Sequence, residues 1–186
     1  MMVERKKPHV SYVVSLCGIM SGLSLVMMFF LSMIPSFEYV SPIVSGLLLW
    51  VVAERLGTRY GLISYMAVGL LCLFISPNYE ASMMFIFIFG YYPIIRQYIM
   101  KLPHFLLKWL VKLVLYAAAA IACYWLLINL FNMTHLLEDM GEMGEYGAWI
   151  LLAMGAVAFI LYDIFLGLFA PFYDKMLKPK IARMMK

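Results

Sequence analysis

Charge is what this sequence has least of: Asp, Glu, Lys and Arg together make up 13% of its 186 residues. Hydrophobic residues make up 66%, and the mean hydropathy is +0.93. A soluble domain of this length cannot hide that much apolar surface, because chain size limits the share of surface that folding buries. The composition excludes a water-soluble globular fold and marks an integral membrane protein. Cysteine is scarce as well. Cys17, Cys72 and Cys123 stand in separate apolar segments with no metal or redox spacing between them. Neither a disulfide framework nor a metal cluster is expected, and the three read as small core residues. No phosphate-cradling Walker loop, no G-x-S-x-G elbow and no H-E-x-x-H pair occurs. His9, His104 and His135 fall in different loops or termini, so they cannot form a metal pair on one helix. The sequence therefore predicts no catalytic residue, no cofactor and no enzyme, and no internal repeat is visible.

What is present begins with Val10–Ile34, a run of 25 residues without a charge, preceded by Arg5, Lys6 and Lys7. As a helix it would be about 37 Å long, enough to cross a bilayer with some tilt. It is too long for the apolar part of a signal peptide, and no A-x-A-like cleavage site follows it, so it is expected to stay as the first span. Ser15, Gly18 and Gly22 share one face of this helix, with Ser21 beside them. Small residues at that spacing let a second backbone approach closely, which drives packing where lipid removes the hydrophobic incentive. Packing inside the bundle and docking of a separate protein both fit such a strip.

Five more apolar segments follow, at about 40–53, 61–75, 81–98, 105–131 and 148–172. Pro42 suits a first helical turn, Ser76-Pro77-Asn78 reads as a turn, and Pro93 predicts a kink near the end of the fourth segment. The expectation is a single all-α domain over residues 1–186: a polytopic membrane protein, built as a compact bundle of six transmembrane helices with both termini cytoplasmic. Basic residues support that orientation. All 14 Lys and Arg fall in segments 1–9, 54–60, 96–112 and 173–186, which six crossings would put on the same side. Six of the ten acids, Glu38, Glu80, Glu138, Asp139, Glu142 and Glu145, fall on the other side. The basic side would meet anionic lipid headgroups. Scattered over short loops, these cations give no reason to expect nucleic acid as a partner.

Asp163 lies well inside the sixth segment, where a carboxylate is costly unless paired or wet. Arg96 and Lys112, at similar depth, are its candidate partners. A structural ion pair and a proton-coupling role are the two readings. On the acidic side, Phe37, Glu38 and Tyr39 in the first loop and Asn78, Tyr79 and Glu80 in the second would converge with a third loop, 132–147. With His135, Asn129 and Trp149 they form a candidate ligand site at the bundle mouth. The alternative is interfacial Tyr and Trp anchoring beside solvated acids. His135 with Met133, Met140 and Met143 has the look of a soft-metal site, but the chain holds 17 methionines and chance accounts for it.

With six short-looped spans, both ends inside and a small-xxx-small strip on the first helix, the chain resembles the substrate-binding S component of energy-coupling factor (ECF) transporters. The likeness runs over roughly residues 9–174, and no ligand-specific signature accompanies it. It implies a bacterial-type plasma membrane and a vitamin or other small nutrient bound near the outer face. It also implies a transmembrane coupling (T) subunit docked on Ser15, Gly18, Ser21 and Gly22, with cytoplasmic ATPases as the energy source. The chain is also similar to MreD-type scaffold proteins of bacterial wall synthesis, which would make it a ligand-free platform. An independent proton-coupled carrier, resting on Asp163, is the third reading.

Overall fold

A computed structural model describes residues 9–34, 37–129, 147–173 and 175. The expectations for Met133, His135, Met140, Met143, most of the third loop and the terminal basic residues lie outside the described residues. Those described form helices and connecting turns, with no strand among them. The order is α1 (Val10–Ser32), α2 (Val40–Leu56), α3 (Thr58–Ile75), α4 (Tyr79–Met84), a π turn (Phe85–Phe89), α5 (Tyr92–Ile99), α6 (Phe105–Asn129) and α7 (Gly147–Phe172). Since α4, the π turn and α5 run on with only Gly90 and Tyr91 between them, the helical stretches among the described residues number six and fall on the six apolar segments.

Boundaries differ around the turn between the second and third segments. The second segment was expected to close at Ala53, before Glu54 and Arg55, yet α2 continues to Leu56 because both are good helix formers. The third was expected from Gly61, but α3 starts at Thr58. Gly57 alone makes the turn between them, at φ +106° and ψ 159°, a conformation essentially reserved for glycine. The reversal brings α2 and α3 close: a Cβ on Gly61 would lie 2.6 Å from that of Ala53.

Pro93 breaks its helix earlier than expected. Its ring would clash with the Phe89 carbonyl in a straight helix, and it brings no N–H of its own. The chain answers upstream with the π turn and then restarts, Pro93 standing in the first turn of α5.

Helix contacts fall into two units, residues 1–133 and 134–186. In the first, α1, α2 and α3 pack on one another, and α2 also meets α4, the π turn and α5. The flank of α4 and the π turn is covered by α6. The core holds Met28, Leu49, Ala53, Val68, Cys72, Ala81, Phe85 and Ile94. Hydroxyls share this interior. Ser24 and Ser45 each donate to the other's backbone carbonyl at 3.0 Å, stitching α1 to α2. Large apolar side chains face outward instead: Val14, Ile19, Val26 and Phe30 on α1, and Ile63, Met66, Leu70 and Phe74 on α3. That is the reverse of a soluble helix, whose apolar stripe faces the core.

The second unit is described through α7. Phe159, Tyr162, Asp163 and Leu166 are buried and recur at the spacing of one helical face. Ile150, Met154, Val157, Leu161, Ile164 and Leu168 are exposed.

Candidate functional sites

At the end of the first unit where α2 and α4 begin, a network of hydrogen bonds links two connections, α1–α2 and α3–α4. Asn78 is its hub. Its Oδ1 accepts from the Ala81 N–H at 3.1 Å and so caps α4, while its Nδ2 donates to the Glu38 carboxylate. Ser76 Oγ donates to the Asn78 carbonyl at 3.2 Å, and Ser82 Oγ reaches the same oxygen at 3.1 Å. Ser41 Oγ donates to the Glu38 carbonyl at 3.0 Å. Ser32, on the last turn of α1, lies 3.5 Å from the Ser76 hydroxyl.

Two of the expected ligand residues, Glu38 and Asn78, are therefore joined directly. Tyr79 and Glu80 follow Asn78 on the first turn of α4, and Phe37 and Tyr39 flank Glu38. Phe37, Tyr39 and Tyr79 are about half exposed, as a ring of interfacial or ligand-facing aromatics would be. Asn129 is turned back on its own helix and donates to the Trp125 carbonyl at 2.8 Å. Trp149 is exposed on α7, in the second unit.

The strip on α1 faces outward. Ser15, Gly18 and Gly22 are exposed and Ser21 is half-buried. Among the described residues no atom comes within 4 Å of where a Cβ would stand on Gly18 or Gly22. Contact with the rest of the first unit is made by another face of the helix, through Ser24, Met28 and Ser32.

Asp163 and Lys112 are both buried, at 6% and 5% exposure, one in each unit; Arg96 is half-buried. Asp163 is not an orphaned charge. The Lys112 ammonium stands 5.3 Å from the centroid of the Trp109 ring on its own helix. Among the described residues no three His, Cys, Asp or Glu side chains gather in a metal-holding group. Near the start of α6, His104, Phe105, Leu106, Leu107 and Leu110 line an open, apolar concavity.

Three arrangements escaped the sequence reading: the Ser24–Ser45 exchange, the π turn with its Tyr65 contact, and the bonds of Gln97 and Tyr98 to Thr58 at 3.1 and 2.9 Å. Small hydroxyl residues in otherwise apolar spans were the available signal for the first. For the second it was Gly90 followed by Pro93.

The described residues define an all-helical fold, and among them four helices, Val10–Ser32, Thr58–Ile75, Phe105–Leu127 and Leu152–Phe172, are long and apolar enough to cross a membrane. No protein-family model, no characterised protein and no solved structure matches it.

Proposed function

We infer that this chain is a nutrient-binding membrane subunit of the ECF type, which takes its energy from partner ATPases through a T subunit. The observation that carries the reading is the outward strip of α1. Gly18 and Gly22 leave room for a foreign backbone, and none of the described residues fills that room. A strip meant only for internal packing would have turned toward α2 and α3, as Ser24 does.

In this reading the protein crosses a bacterial-type plasma membrane six times with both ends cytoplasmic. All 14 basic residues then fall in segments on the cytoplasmic side, where those that are exposed would meet its anionic headgroups. The network around Glu38 and Asn78 lies at the outer face, where the aromatic residues Phe37, Tyr39 and Tyr79 would meet a small polar nutrient. Binding is the whole of its chemistry; no bond is made or broken on the chain. The buried Asp163 belongs to the structural frame, and no proton transport runs through it.

Mild-detergent isolation with mass spectrometry of proteins and small molecules tests this. Recovery of a T-type subunit and ATPases is expected, together with a retained nutrient, and Gly18→Leu/Gly22→Leu should lose the subunit while remaining folded. Wall-synthesis proteins and no small molecule would replace the transport reading with the MreD-type scaffold. Uptake by the purified chain alone in liposomes, abolished in Asp163→Asn, would replace it with a proton-coupled carrier.

A further inference from the structure

The fourth helical stretch contains a built-in register fault. Gly90 N–H closes on the Phe85 carbonyl, five residues back, at 2.7 Å. In an α-helix that amide would serve Ile86. The Ile86 carbonyl accepts instead from the Tyr65 hydroxyl of α3. A side chain from a neighbouring helix thus supplies the bond that the helix's own amide withholds. The Tyr65 ring is held in place by Phe85 and Tyr91, with centroids at 5.9 and 6.1 Å. Gly90 completes the seat: a Cβ there would stand 2.6 Å from the Phe85 oxygen and 2.8 Å from the Tyr65 ring.

Two hydrogen-bond patterns compete for one carbonyl. In the pattern present, Tyr65 holds Ile86. In the other, Gly90 returns to Ile86, the turn becomes α-helical and Tyr65 loses its acceptor. The exchange shifts register by one residue, which turns α4 against α5 by about 100°. α4 carries Asn78 as its cap, and α5 carries Gln97 and Tyr98, bonded to Thr58. We propose that Tyr65 is the latch of a two-state turn, and that its release rotates α4 and so disturbs the Glu38–Asn78 link at one end while α5 stays anchored at the other. This device connects the two ends of the first unit through its core, and it holds whether or not the nutrient reading does.

The test is hydrogen–deuterium exchange of the full chain in mild detergent, comparing wild type with Tyr65→Phe, which keeps the ring and removes the donor. Exchange over residues 86–91 should rise about tenfold, the scale of losing the one hydrogen bond by which Tyr65 holds the turn in its present pattern. Residues 79–84 should accelerate with them, because the slip moves α4 as a piece. Acceleration confined to 86–91 would reduce Tyr65 to a local prop and overturn the proposal, as would no change in either segment. Gly90→Ala attacks the same seat from the helix side and should reproduce the two-segment pattern; exchange like that of wild type would equally overturn it.

Discussion

Ser24 and Ser45 donate to backbone carbonyls, not to each other's hydroxyl, and this decides how their substitutions combine. Ser45→Ala removes one bond and leaves the acceptor of the other intact. Each alanine should therefore cost about 0.6 kcal/mol, the mean for side-chain hydrogen bonds between membrane helices, and the double substitution about twice that. Unfolding in mixed detergent measures both. A double mutant no worse than either single one would mean that the two bonds form and break together. Gly57 offers a second case. Any side chain there must adopt the glycine-only conformation of the turn, so Gly57→Ala should lose about 1–3 kcal/mol in the same assay. Neither residue stands out in the sequence, where one serine among apolar neighbours looks like any other. Hydroxyls and glycines acquire meaning only when a second helix is set beside them.

Glycines on neighbouring helices separate two uses of the same residue. Gly61 lets α3 close on Ala53 of α2, whereas Gly18 and Gly22 meet none of the described residues. Gly61→Leu should force α2 and α3 apart at about 1–3 kcal/mol or more, while Gly18→Leu should leave stability within about 0.5 kcal/mol of wild type. Equal losses at the two positions would mean that the α1 strip is packed after all. Existence of the six helical stretches was legible, because long uncharged runs punctuated by proline, glycine and charge leave few alternatives. Their inner geometry was not. In a run such as Phe85–Phe89 every residue is apolar, so no periodicity reports which face is buried or that the helix unwinds into a π turn. The direction of the α1 strip was hidden for the same reason, since spacing shows that Ser15, Gly18 and Gly22 share a face and not where it points.

Across the whole molecule, the proposed topology puts the two ends of the fourth stretch on opposite sides of the membrane. Tyr79 and Met100 are both accessible, at 44% exposure each. Single cysteines at these positions, in a chain freed of its three native ones, should react with a membrane-impermeant thiol reagent from opposite faces of oriented vesicles. Tyr79→Cys should react from outside whole cells and Met100→Cys only after lysis. Labelling of both from one face would remove the six-span arrangement, and the nutrient reading with it.

The one-residue link at Gly57 also bears on how such a chain enters a bilayer. With 17 residues, and with Glu54 and Arg55 in its last turn, α2 is a poor candidate for insertion alone. Its neighbour α3 is long and apolar enough. In the proposed six-span arrangement the two, joined by a single glycine, would enter as a hairpin, the stronger helix carrying the weaker one across. Lengthening that link with a flexible spacer would then strand α2 during synthesis, a failure of delivery and not of stability.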